Sequence, residues 1–151
     1  MELSTAKKIL KIAGILSIIS GIFVLIIGLL GAFGSGYAST NMPEMQTNPD
    51  YQTAAGFMIL GSIGLIISGI FSIVEGGFSV AASKNGKYAM TAFVLSIITL
   101  ISNVYSGIKN FTSSGVTASS VFSLVVSIVI SLLICFAANT IKVAYKEGRD
   151  Q

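Results

Sequence analysis

Four runs nearly free of charge, at residues 12–33, 54–82, 88–106 and 118–141, dominate this chain of 151 residues. Each is close to or above the roughly 20 residues that a helix needs to cross about 30 Å of hydrocarbon. Only 10% of residues are charged and 53% are apolar, with a mean hydropathy of +0.86, against about 25% charged in soluble domains. The expected fold is an all-α integral membrane protein, an antiparallel four-helix transmembrane bundle forming a single domain. Its expected spans cover about 9–33, 53–82, 88–107 and 118–142. An outer loop at 34–52, an inner turn at 83–87 and an outer loop at 108–117 join them, and a cytoplasmic tail at about 143–151 follows. The first apolar run is longer than the ~7–15 residues of a signal-peptide core, so it is expected to stay attached.

Charge sets the expected orientation. Lys7, Lys8, Lys11, Lys84, Lys87, Lys142, Lys146 and Arg149 fall in the N-terminal segment, the middle turn and the C-terminal tail; only Lys109 falls elsewhere. In a four-span layout those three segments share one side, and an excess of Lys and Arg marks that side as cytoplasmic. Both termini are therefore expected inside. The tyrosines agree, since their amphipathic rings favour the headgroup level: Tyr37, Tyr51 and Tyr105 lie near expected outer ends, Tyr88 and Tyr145 near inner ones. The net charge of +3 follows from lysines at helix ends and implies no nucleic-acid partner.

The stretch 34–52, "GSGYASTNMPEMQTNPDYQ", is rich in residues that favour turns. It carries Glu44 and Asp50 without a basic residue, and Met42 and Met45 as adaptable apolar contacts. In the inner turn, Asn85-Gly86 supplies residues tolerant of positive φ, so spans two and three are expected as a tight hairpin. Asn110-Phe111-Thr112 is a formal glycosylation sequon close to the membrane and is taken as coincidental.

Helices already in lipid gain little by burying more hydrocarbon, so their association relies on small residues and interhelical hydrogen bonds. Span one offers Ala13, Ser17 and Gly21 at steps of four, and Gly14, Gly21 and Gly28 at steps of seven. Span two carries Gly64, Ser68, Ser72 and Gly76, flanked by Gly61, Gly69 and Gly77. Span three presents Ala92, Ser96, Thr99, Asn103 and Ser106, and span four Ser120, Ser123, Ser127, Ser131, Cys135 and Asn139. These stripes read as packing ridges of one bundle, with a polar pathway as the other reading. "ISGIF" occurs at Ile19–Phe23 and again at Ile67–Phe71, as an inverted repeat would place it.

Glu75 is the one carboxylate inside a span. On a helix it shares a side with positions 64, 68 and 72, so it is expected to face other helices, about 9 Å inward of mid-depth. Three roles are open. Glu75 pairs with Lys11, or with Lys142 below span four, and pins the inner ends in register; or it is a cation or proton site approached past Ser68, Ser72 and Asn139; or it is a solvated residue at the membrane interface. Histidine is absent and Cys135 is the single cysteine, so structural zinc sites and disulfide frameworks cannot form within one chain. Cys135 itself reads as a small apolar filler. With no nucleophile-base pair, phosphate loop or paired carboxylates in the spans, no catalytic residue, cofactor or metal is expected.

From Gly61 onward, "GSIGLIISGIFSIVEGGFSVAASKNGKYAMTAFVLSIITLI" resembles small four-span membrane proteins of uncharacterised function common in Firmicutes and their relatives. In these a glycine-rich second span passes through a Lys-Asn-Lys type inner turn into an apolar third. The resemblance implies a bacterial plasma membrane and no activity. The layout is also similar to that of tetraspanins and claudins, but the outer loops carry no cysteine and the chain has no tryptophan. The expected function is that of a structural or interaction component whose partners are the bilayer and either further copies of itself or a larger membrane protein. The alternative is a small oligomeric transporter or channel built on Glu75.

Overall fold

The computed structural model describes residues 1–42, 47–114 and 117–148. Glu44, Met45 and Arg149 lie outside them, as do the side chains of the sequon at 110–112 and of Ser120 and Ser123. Four helices carry the described chain: α1 (Leu3–Asn41), α2 (Pro49–Lys84), α3 (Ala89–Ser114) and α4 (Ala118–Lys146). A single 3-10 turn, Gly86–Tyr88, links α2 to α3. All four helices are long and apolar enough to cross a membrane.

Two loop expectations are corrected. Much of the stretch 34–52 is helical: α1 continues to Asn41 and α2 begins at Pro49. Its polar residues bond back onto their own helix, which reconciles them with helical backbone. Ser35 Oγ donates to the Gly31 carbonyl (2.6 Å), Thr40 Oγ1 to Gly36 (3.0 Å) and Asn41 Nδ2 to Tyr37 (3.0 Å). At the start of α2, Asn48 Oδ1 accepts from the Asp50 amide at 3.0 Å, and Pro49 occupies the first-turn position where its missing N–H is harmless. The inner turn is tight, but neither Asn85 nor Gly86 uses positive φ. Asn85 is extended (φ −142°) and its side chain accepts from the Lys87 amide at 2.9 Å. That cap starts the 3-10 turn directly, so no left-handed residue is needed. Among the described residues positive φ occurs only at Gly148 (71°), past the end of α4.

The chain forms two compact units. The first comprises Met1–Ile15 and Glu75–Gln151, and so contains the N-terminal turns of α1, the last turns of α2, and α3 and α4. Its core is unusually small-sided: Ala6, Ala82, Ala89, Ala92, Ala137 and Ala138 are fully buried beside Leu10 and Ile141. Alanine brings the helix backbones close, which is how helices associate when burial of hydrocarbon adds little. In the same unit α1 meets α2 at Gly14, where an added Cβ would lie 2.7 Å from the Gly76 carbonyl oxygen.

The second unit, Leu16–Val74, is an α1–α2 pair. Its contact is glycine on glycine. A Cβ at Gly21 would sit 2.8 Å from the Gly69 oxygen, and one at Gly69 would sit 2.8 Å from the Gly21 oxygen. Gly28 meets the Ser62 oxygen (3.0 Å) in the same way. Gly21 and Gly69 are the central residues of the two "ISGIF" copies. The copies therefore meet each other, antiparallel, at this crossing.

Steps of seven explain which small residues are used. Gly14, Gly21, Gly28 and Ser35 are all buried on α1, and Ala55, Ser62, Gly69, Gly76 and Ser83 are all buried on α2. The expected α2 ridge at steps of four is corrected. Gly64 faces open space and Ser68 is exposed, while Ser72 is half-buried and Gly76 buried. Four residues turn a helix by about 400°, so each step drifts about 40° and a series of four positions leaves the face it began on. A seven-residue step drifts only about 20°, which slight left-handed supercoiling absorbs.

Candidate functional site

Glu75 lies in the first unit and is buried, with 5% of its surface exposed. Its helix delivers it inward because it sits beside Gly76, whose backbone is pressed against Gly14. The side chain reaches α3. Thr99 Oγ1 donates to Glu75 Oε2 at 2.8 Å. Among the described residues no ammonium group pairs with this carboxylate: Lys11 is exposed, and Lys142 Nζ lies over the Phe93 ring, 4.1 Å from its centre, in a cation–π contact. The expected pairing with Lys11 or Lys142 thus gives way to a hydroxyl partner. A helix-end lysine keeps its ammonium in water or over a ring more cheaply than it can desolvate it.

Thr99 was not singled out as Glu75's partner by sequence reasoning, although it stands in the α3 stripe. The signal was available: Ala92, Ser96, Thr99 and Asn103 alternate by four and three, which holds one helix face. That face serves two neighbours. Ser96 Oγ accepts from the Cys135 thiol at 3.3 Å and donates to the Phe93 carbonyl at 2.9 Å. Asn103 Nδ2 donates to Ser131 Oγ at 3.0 Å. The α3 stripe therefore binds α4 above and below the turn at which it meets Glu75, and its hydroxyls are occupied as helix-to-helix bonds. Ser106 stands exposed, and Gly107 takes its place in the seam against the Leu124 side chain.

Asn139 is half-buried and borders an open groove of about 250 Å³ with Phe93, Leu132, Cys135 and Phe136. The groove is apolar. Cys135 is free and buried, and its thiol is committed to Ser96.

The other ridge residues separate into two groups. Gly21 and Gly76 sit at close helix contacts, as described above. Gly61 and Gly64 meet nothing within 4 Å, and Ser68 beside them is exposed. Comparisons with protein-family models, with curated proteins and with solved structures return no match. What these residues can do is therefore read from their chemistry: a buried carboxylate holding a hydroxyl accepts protons or cations, and an open small-residue ridge accepts another helix.

Proposed function

We propose that the chain is a multi-pass interaction protein of a bacterial plasma membrane, with both termini cytoplasmic, and that it associates with a second copy of itself through α2. One observation carries the reading: Gly61, Gly64 and Ser68 form a ridge with no Cβ, or only a hydroxymethyl group, facing open space, while Gly14, Gly21, Gly28 and Gly69 are all filled by backbone from a neighbouring helix. Small residues at steps of three and four let two helices approach until backbone and side-chain atoms interlock, the main source of helix affinity in lipid. A second copy is the occupant that this favours, because an isologous contact asks only that one patch complement itself. A flat glycine ridge does so. Leu60 and Ile67 on one side of it and Met58 and Leu65 on the other are exposed apolar residues suited to lipid contact. The lysines at the ends of α2 and α4 support cytoplasmic termini.

Counting photobleaching steps of labelled protein held in nanodiscs tests the reading. The wild type should show two or more copies per disc, and Gly64→Leu, which plugs the ridge with a branched side chain, should return it to one. A wild type that is strictly single, with no co-purifying membrane protein, overturns the proposal. A single copy bound stoichiometrically to a larger membrane protein would assign the ridge to that partner instead.

A further inference from the structure

We propose that Glu75, Thr99 and Ser79 form a binding site for one small monovalent cation, for which Na⁺ is the probe. This goes beyond self-association and does not depend on it. The starting point is a carboxyl group to which the described residues bring no cation: Glu75 is buried, one of its oxygens holds a hydroxyl, and neither Lys11 nor Lys142 reaches it. An isolated carboxylate away from water is among the most costly groups a fold can bury. A hydroxyl dipole offsets only part of that.

Ser79 supplies the second, independent observation. It is 2% exposed. Ser35, Ser62, Ser83, Ser96 and Ser131, the other buried serines among the described residues, each hold a hydrogen bond. Ser79 holds none. It follows Glu75 by one helical turn, on the same face, and its Cα–Cβ bond tilts toward the N-terminal end of α2, where Glu75 lies. From the other side α1 closes on it: a Cβ at Gly14 would lie 3.0 Å from Ser79 Cβ. The Glu75 carboxylate with the Thr99 hydroxyl upon it, and the buried Ser79 hydroxyl one helical turn further along α2 and packed against α1 at Gly14, supply the oxygens of the proposed site.

That donor set fits a single positive charge. All four atoms are hard oxygens, and one formal negative charge is neutralised by one monovalent ion. Ca²⁺ asks for six to eight oxygens and Mg²⁺ for a near-ideal octahedron that keeps several waters; this set offers neither, and either ion would leave net charge in an apolar setting.

The test uses the full chain in nanodiscs and a lipid-soluble carbodiimide, which attaches to carboxyl groups in apolar surroundings. Adduct at Glu75 is followed by mass spectrometry at one fixed pH, in NaCl or in choline chloride of equal ionic strength. Na⁺ should slow labelling saturably, about tenfold when it stands at ten times its dissociation constant, and choline should not. Thr99→Val and Ser79→Ala keep the carboxylate and should each raise the Na⁺ concentration needed for half-protection. A labelling rate indifferent to Na⁺, one that follows pH alone, or half-protection unmoved in both variants overturns the proposal. Should Glu75 take no label, the readout becomes the melting temperature, which should rise in NaCl over choline chloride for the wild type and not for Glu75→Gln; equal melting in both salts overturns the site.

Discussion

Adding one methyl group at Gly21 is the sharpest perturbation of the α1–α2 pair. A Cβ there would lie 2.8 Å from the Gly69 oxygen, 2.9 Å from Ile73 Cγ1 and 3.0 Å from the Ile73 amide nitrogen. Ordinary contact begins near 3.4 Å, so the helices must part by roughly 0.6 Å, the difference between that and 2.8 Å. Two of the three atoms are backbone and cannot rotate aside. Overpacking of this kind destabilises by about 1–3 kcal/mol, while the change from glycine to alanine in a helix returns about 1 kcal/mol. Gly21→Ala and Gly69→Ala should therefore be destabilised by about 0–2 kcal/mol. Gly77→Ala, on the same helix but facing open space, should gain the propensity alone, about 1 kcal/mol. The propensity cancels in the comparison, leaving a gap of about 1–3 kcal/mol between the crossing and the control. For a chain of this length that is about 2–12 °C in melting temperature, measured by loss of helical circular dichroism in detergent. If alanine at Gly21 and Gly69 raises the melting temperature as much as at Gly77, the close crossing is refuted.

Three other perturbations have defined outcomes. Thr99→Val removes the described partner of a buried carboxylate and should lower stability by about 1–3 kcal/mol; an unchanged melting temperature would mean the bond is not formed. Asn103→Ala and Ser131→Ala should couple in a double-mutant cycle by about 0.6 kcal/mol, the usual worth of such bonds between membrane helices, and strict additivity would contradict the contact. Asn48→Ala should weaken the start of α2 by about 1 kcal/mol, seen as faster amide exchange confined to the first turn after Pro49; unaltered exchange there would deny the cap.

The helices were legible because an apolar run of about 20 residues can satisfy all its backbone hydrogen bonds within itself only as a helix. Their ends were not. Gly34, Ser35 and Gly36 carry turn propensity, yet the hydroxyl of Ser35 can satisfy a carbonyl of its own helix, and composition does not say which bond it will make. On α1 the buried face was readable in Gly14, Gly21 and Gly28 at steps of seven. On α2 the matching series through Ser62, Gly69 and Gly76 was masked by the more conspicuous steps of four from Gly64, although their drift of about 40° per step follows from helix geometry. Glu75 is buried, as expected, but the ridge from which that was argued is not the reason: Gly64 and Ser68 on its side are exposed, and its buried neighbours are Gly76 and Ser79. Its partner was misassigned because charge complementarity pointed to Lys11 and Lys142, whereas the side chain that faces it, Thr99, is neutral and belongs to a stripe that reads equally well as packing.

Cross-linking at Ser68 tests the open α2 ridge most directly. With Cys135→Ala as background, Ser68→Cys and Ile70→Cys place single thiols two residues apart, at similar depth but about 200° apart around the helix, and both native side chains are exposed. Mild oxidation in intact membranes should give a disulfide-linked dimer through position 68 and little through position 70. Equal yields at both positions, or a dimer through position 70 alone, would contradict the claim that this ridge receives a second copy.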